Sequence, residues 1–328
     1  MFDPNKPRVL VALGGKSSER STSISSGKEV AKALENLGYQ TAVLDTGTGR
    51  IMQTPELDSL ENDPKKMPLV ANIPLIDIAR HFSVVFIAMH GKFGEDGVLQ
   101  GLLDEINIKY VGSRAYSSAV SMDKRFAKYA MIAHEIPTPD FQIIKSKTDK
   151  LKIKFPLVVK PIAEGSSVGV SICENPADYD YAIKTVLEST GDAIVEPYIG
   201  KKEFTVCILE NDKGEAQALP VVEIIPKGKF FDYKAKYDGS TQEVVPAKIG
   251  EKLTKELKDL ALRVFKILDC RHFARVDFIL DQKGKPFVLE LNTIPGLTKE
   301  SLFPKAARAA GYDFEKLIDH LIKIAIAD

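Results

Sequence analysis

The stretch His272–Leu302, HFARVDFILDQKGKPFVLELNTIPGLTKESL, decides how this chain is read. Two runs of alternating apolar and polar residues, Phe273 to Leu280 and Phe287 to Leu291, flank Asp281-Gln282-Lys283-Gly284-Lys285. Alternation on both sides of a glycine-containing turn predicts a β-hairpin. Side chains along a strand point to opposite faces in turn, so Arg275 and Asp277 share one face, as do Glu290 and Asn292. Val276, Phe278, Leu289 and Leu291 are then expected to point the other way, into a core. An arginine, two carboxylates and an amide on one side suit a hard divalent ion. Mg²⁺ is typically held by one or two carboxylates together with substrate phosphates. An arginine beside them can stabilise a transferring phosphoryl group or an oxyanion. A solvated hairpin face with incidental salt bridges accounts equally well for these four residues taken alone.

The chain has 328 residues, more than one hydrophobic core usually serves, so two or three domains are expected. Lys+Arg and Asp+Glu are both 45, which leaves no basic excess for nucleic acid. The hydrophobic fraction of 44% is that of an ordinary globular protein, and no apolar run approaches membrane-spanning length. The N-terminus lacks the layout of a signal peptide. Three isolated cysteines imply neither a disulfide framework nor a cysteine metal site. The expectation is a cytoplasmic enzyme or binding protein.

Upstream of the hairpin, Arg8 to Leu13 reads as a buried strand ending at Gly14-Gly15. A helix capped within Ser21 to Ser26 and closed by Gly38 follows, then a strand at Thr41 to Leu44. Residues 46–70 read as a variable connection, Leu75 to Ala79 as a short helix and Ser83 to Met89 as a strand. This alternation predicts a parallel sheet with ligands outside the carboxyl ends of its strands. After Ser117 the texture changes. A helix at Lys124 to His134 precedes strands at Phe141 to Ile144, Leu157 to Lys160, Val168 to Ile172, Ala193 to Glu196 and Phe204 to Leu209, interrupted by a helix at Ala177 to Leu187. Runs of strands with few helices predict an antiparallel α+β unit. A strand at Ala218 to Ile224, a polar aromatic loop Lys227 to Glu243 and a helix at Lys252 to Leu268 lead into the hairpin. The domains are placed at 1–117, 118–211 and 212–328.

Several segments carry candidate chemistry. In FPLVVKPIAEGSSVG (155–169) a strand ends in Lys160 and opens into Glu164-Gly165-Ser166-Ser167. Small residues let backbone N–H groups approach a polyphosphate, and the lysine adds a point charge. It is not a Walker A loop, because the Gly-Lys-Ser/Thr order is missing. Glu196 ends an apolar strand where a carboxylate can accept the amine of adenine, and Glu203 can hold ribose hydroxyls. On spacing alone, two solvated carboxylates at strand ends fit these positions better. The loop 227–243 mixes Phe230, Phe231, Tyr233 and Tyr237 with Lys234 and Lys236, a mixture common in active-site lids. Glu19 can pair with a substrate ammonium, and His90 can orient a carboxylate or accept a proton.

Together these segments resemble the D-alanine–D-alanine ligases of the ATP-grasp superfamily, nearly end to end. The resemblance rests on GGKSSERSTSISSG (14–27), AMHGKFGEDGVLQG (88–101), SMDK (121–124), VVKPIAEGSSVG (158–169), EFTV (203–206), FFDYKAKY (230–237), ARVDF (274–278) and ELNTIPGLTKESLFP (290–304). It implies an ATP-grasp fold, with an N-terminal parallel-sheet domain and ATP gripped between the central and C-terminal domains. It implies contacts from Lys124, Lys160, Glu164 and Ser167 to ATP, with Lys236 near the phosphates. Glu196, Ile199 and Glu203 would meet adenine and ribose. Asp277, Glu290 and Asn292 would hold two Mg²⁺ ions, with Mn²⁺ as a substitute. One D-alanine would be received by Glu19 and His90, the other by Ser301 and Leu302. Arg275 and Gly296 would stabilise an oxyanion, and Glu19, Ser166 and Tyr237 would form a hydrogen-bonded triad. A homodimer is also implied. Pro197 departs from the family's usual residue and removes a backbone donor beside the adenine position. Rival readings are a ligase with D-lactate or another acceptor, and a nucleotide-binding module without catalysis. The complete residue set speaks against the latter.

Overall fold

The computed structural model describes residues 3–60, 62, 75–200, 202–226 and 241–328. The expected lid segment therefore lies, up to residue 240, outside the described residues. Three sheets organise the rest.

The first sheet has the order β3-β2-β1-β4-β5. It contains β1 (Arg8–Leu13), β2 (Gln40–Asp45), β3 (Arg50–Met52), β4 (Val84–Ile87) and β5 (Lys109–Val111). All neighbours are parallel except the β2–β3 pair. Both faces of such a sheet must be covered. Val9, Val11 and Phe86 pack on the helix Arg20–Asn36 through Val30 and Leu34, and on the far C-terminal helix Phe314–Ala327 through Leu317 and Leu321. Leu10 and Val85 face the helix Val98–Glu105 through Leu99 and Leu103. The last helix of the chain thus completes a layer of the first domain. At the carboxyl ends of β1 and β2, the fully buried Arg20 guanidinium donates to Asp45 Oδ1 and Oδ2 at 2.8 and 2.7 Å and to the Gly15 carbonyl at 2.9 Å. Burial alone would raise the Asp45 carboxyl. The hydrogen bonds from Arg20 and Thr48 outweigh it and hold the group below its ordinary range.

The second sheet, in the order β6-β9-β7-β8, joins β6 (Gln142–Ile144), β7 (Leu157–Pro161), β8 (Ser171–Cys173) and β9 (Ala193–Pro197), all antiparallel. The helix Pro176–Thr190 covers it through Ala182, Ile183 and Val186. The strand expected at Val168 to Ile172 starts only at Ser171. Ser166 and Ser167 have φ of +50° and +59°, left-handed values that keep the preceding loop out of the sheet.

The third sheet runs β13-β12-β10-β14-β15, with β11 added to β10. Its strands are β10 (Lys202–Glu210), β11 (Ala216–Ala218), β12 (Val222–Ile225), β13 (Gln242–Val244), β14 (Phe273–Leu280) and β15 (Pro286–Asn292). The helix Glu251–Ile267 backs it with Leu257, Ala261 and Val264 against Val206, Val276 and Phe278. The single strand expected at Ala218 to Ile224 is two strands, broken around Pro220, which has no N–H for the ladder. β10, read from sequence with the central strands, pairs with β14 along its whole length. No helix among the described residues is long and apolar enough to cross a membrane.

Replacing Arg20 with Met leaves the Asp45 carboxylate buried without its partner. The expected loss is about 3–5 kcal/mol of unfolding free energy, read from urea denaturation followed by circular dichroism.

Candidate functional site

The hairpin builds the floor of the site. On β14, the Arg275 guanidinium grips Asp277 with two bonds of 2.8 Å, from Nε to Oδ1 and from one terminal nitrogen to Oδ2. Thr205 of β10, directly opposite Asp277, donates its hydroxyl to Oδ1 at 2.6 Å, and Asn292 Nδ2 reaches Oδ2 at 3.1 Å. Asp277 stands opposite Glu290, but Phe278 stands opposite Val288, so a β-bulge leaves Leu289 without a partner. This corrects the strict alternation read from sequence. Leu289 is not in the core but lines a cleft, while Val288 takes the buried position.

That cleft lies between the second and third sheets and is lined from both. Lys160 at the end of β7 places Nζ 2.6 Å from Glu196 Oε2 on β9. Lys124, the first residue of the helix Lys124–Ala133, donates to the Glu164 carbonyl at 2.7 Å and lies 3.3 Å from Glu290 Oε2. Glu164, Ser167, Ile199 and Glu203 also line the cleft, and the Glu164 carboxylate accepts from Ser18 at 3.2 Å. Glu196 has its carboxylate turned to cations. Besides Lys160, the Lys128 ammonium lies 3.0 Å from Oε1. Lys128 completes its own set with Thr138 Oγ1 at 2.7 Å and the Pro139 carbonyl at 3.0 Å. Burial would raise the Glu196 carboxyl, but the two lysines hold it below its usual range. Lys128 was not singled out from sequence. The available signal was a lysine inside the apolar stripe Ala127, Lys128, Met131, one helical turn after Lys124.

A second cavity, of about 420 Å³, opens between the first sheet and the hairpin. Glu19 is buried at the start of the helix Arg20–Asn36. Its carboxylate does not cap that helix. Oε1 accepts a short hydrogen bond from Ser166, whereas Oε2 is buried with no hydrogen-bond partner among the described residues. Gly165 packs so close that an added Cβ would stand 2.6 Å from Oε2, so a side chain there would displace the carboxylate. Ser301, the cap residue of the helix Leu302–Ala309, lies against Gly296, where a Cβ would meet its hydroxyl at 2.8 Å. Leu302 opens the helix toward the same cavity. Arg275 lines both cavities and so joins them.

His90 has both ring nitrogens engaged within the protein. Nδ1 lies 3.0 Å from the Ile294 carbonyl, to which it can only donate, so Nε2 accepts from Ser26 Oγ at 3.0 Å in the neutral ring. Burial lowers its pKa and favours that neutral form. It stands in the cavity wall as a fixed strut. Glu95, also in the wall, was not singled out either. Burial, with the charge of Glu19 nearby, raises its carboxyl to about 8. Tyr237 and Lys236 lie outside the described residues.

Asp277, Glu290 and Asn292 offer oxygen donors side by side, the chemistry a hard divalent ion accepts. The described residues contain no group of three or more His, Cys, Asp or Glu able to enclose a metal. Two carboxylates and an amide therefore fit an ion whose remaining ligands come from substrate phosphates and water.

Two antiparallel sheets that meet over a cleft of lysines and carboxylates, beside a parallel-sheet domain, define an ATP-grasp enzyme. The family description "D-ala D-ala ligase C-terminus" matches residues 126–323, and "D-ala D-ala ligase N-terminus" matches residues 8–113. The D-alanine–D-alanine ligase of Aquifex aeolicus is 43% identical over 318 residues, covering 96% of this chain and 99% of that protein. That of Thermotoga petrophila is 40% identical over 319 residues, covering 97% of each. The crystal structure of D-alanine–D-alanine ligase from Bacillus anthracis complexed with ATP superposes with a TM-score of 0.79 at 31% identity, covering 98% of each chain. This chain belongs to the D-alanine–D-alanine ligase family.

Glu95 gives a pH signature. Between about pH 5 and 8 the native state keeps a proton on Glu95 that the unfolded chain has released. Stability therefore falls as pH rises through this window, by at most about 1.4 kcal/mol per unit. Glu95→Gln removes that slope. Its urea midpoint relative to wild type is expected to climb from pH 5 to pH 8.

Proposed function

We propose that the chain joins two D-alanines into D-alanyl-D-alanine at the expense of ATP, yielding ADP and phosphate, for peptidoglycan precursor synthesis. One observation carries this reading above the others: Glu19 Oε2, buried and without a hydrogen-bond partner among the described residues, in a cavity whose wall residue Arg275 is shared with the cleft between the second and third sheets. An ammonium is the group such an oxygen takes, and it leaves the carboxylate of the same amino acid facing the nucleotide.

The triphosphate lies between the second and third sheets. Lys124 and Lys160 bind its oxygens, Glu203 the ribose, and the segment Glu196–Ile199 borders adenine. A carboxylate is a poor electrophile. An oxygen of the first D-alanine's carboxylate attacks the γ-phosphorus and ADP leaves, so the carbonyl carbon now carries phosphate as leaving group. The second D-alanine places its carboxylate at Ser301 and the Leu302 N–H, at the positive end of a helix. Its amine, once deprotonated, attacks the acyl carbon. Arg275 and the Gly296 N–H stabilise the oxyanion, and phosphate departs as the amide forms. Asp277, Glu290 and Asn292 would hold Mg²⁺, or Mn²⁺ in its place, and a bound divalent ion would supply charge neutralisation at the phosphates. Glu19 and Ser166 tie the loop 164–169 to the first substrate. Exclusion of water protects the acyl phosphate from hydrolysis. The zero net charge, which leaves no basic excess for nucleic acid, supports small-molecule partners, and the family relation supports a cytoplasmic homodimer.

D-Alanine-dependent phosphate release from ATP, with the product identified by mass, tests the reading. Wild type is expected to form the dipeptide, with D-lactate a poor acceptor at neutral pH. Glu290→Gln is expected to lose on the order of 10²-fold in kcat. ATP binding without D-alanine-stimulated turnover would remove the ligase reading.

A further inference from the structure

Glu243 is a carboxylate in the wall of the amino-acid cavity that no step above uses. It lies on β13, opposite Ile224 of β12, and its Oε2 is 2.9 Å from Lys305 Nζ. Lys305 belongs to the helix Leu302–Ala309 and donates its backbone N–H to the Ser301 carbonyl at 3.1 Å. The same ammonium lies 3.2 Å from Glu300, whose side chain is 81% exposed, against 17% for Glu243. The pairing that matters electrostatically is thus the inner one, since the outer carboxylate is screened by water.

From this arrangement, and resting on the ligase reading, we infer that Lys305 is a positioning residue that neutralises Glu243, so that the acceptor subsite admits a second amino-acid carboxylate. Ser301 and the Leu302 N–H, together with the helix end, attract an anion. Glu243, in the same wall, repels it. An ion pair with Lys305 cancels most of that repulsion without placing a free cation in the cavity, where it would compete for the carboxylate. The pair also fixes Glu243 away from the acceptor's ammonium, which must lose its proton before it can attack. Lys305 and Glu243 are therefore expected to act on acceptor affinity more than on Glu19, which lines the same cavity but is held by Ser166, or on the cleft between the second and third sheets.

Initial rates with ATP and D-alanine, fitted for both D-alanine sites, test this in Lys305→Met, Lys305→Arg, Glu243→Gln and the double variant Glu243→Gln/Lys305→Met. Lys305→Met is expected to raise the KM of the second D-alanine about tenfold, leaving the KM of ATP and of the first D-alanine within about twofold. Lys305→Arg is expected to keep the wild-type value. The double variant is expected to return to within about threefold of wild type, because removing the carboxylate removes the need for its counter-ion. A double variant as impaired as Lys305→Met would show that the lysine acts through the helix alone, and would overturn the inference. An unchanged KM in Lys305→Met, or equal shifts at both D-alanine sites, would overturn it as well. The two failures separate: absence of dipeptide from wild type removes the ligase reading and the inference with it, whereas an active wild type with the wrong variant pattern removes only the inference.

Discussion

The cations of the nucleotide cleft are matched by carboxylates of the protein. Lys160 meets Glu196, Lys124 meets Glu290, and Arg275 grips Asp277. Removing a charge from water is costly unless a partner replaces the solvent, so a cleft built to hold a triphosphate cannot fold as a field of bare lysines. Pairing solves the folding problem and, on the proposed function, sets the terms of binding, because incoming phosphates would compete with those carboxylates. Lys128 shows how the competition is eased. Because it holds the other oxygen of Glu196, Lys160 would, on the proposed function, be able to turn to a phosphate without leaving a buried carboxylate alone. Divalent ions at Asp277 and Glu290 would play the same part on the hairpin side.

Much of this was legible in the sequence, for physical reasons that differ from residue to residue. The period-two pattern of Phe273 to Leu280 fixes which side of β14 carries Arg275 and Asp277, and the hairpin turn sits where its glycine predicts. The helical stripe that puts Leu257, Ala261 and Val264 into the core is equally plain. Leu289 was misplaced because a bulge depends on pairing with another strand, and no local pattern announces it. Lys128 and Glu95 stayed hidden for a related reason. Their decisive surroundings come from Thr138, Pro139 and Glu196 in one case and from burial beside Glu19 in the other, contacts that the tertiary fold assembles.

The bulge at Leu289 also explains how one short hairpin serves two demands. A regular ladder would have buried either Leu289 or Glu290 with its neighbours. The extra residue lets Leu289 line the cleft while Glu290 and Asn292 still flank Asp277. The floor is thereby apolar at Leu289 and polar at Asp277, Glu290 and Asn292. Arg275, at the junction of both cavities, is held rigidly by Asp277 and needs little reorganisation when charge develops on a substrate.

The helix Phe314–Ala327 covers a face of the first sheet, although nearly the whole chain separates them in sequence. During synthesis, β1, β2 and β4 emerge long before that helix does. Their apolar side through Val9, Val11 and Phe86 waits, incompletely covered, until that helix leaves the ribosome. Domains usually fold in order from the N-terminus. Here the earliest domain waits for a helix far downstream, so the nascent chain passes through a period in which a holding chaperone would find a ready surface.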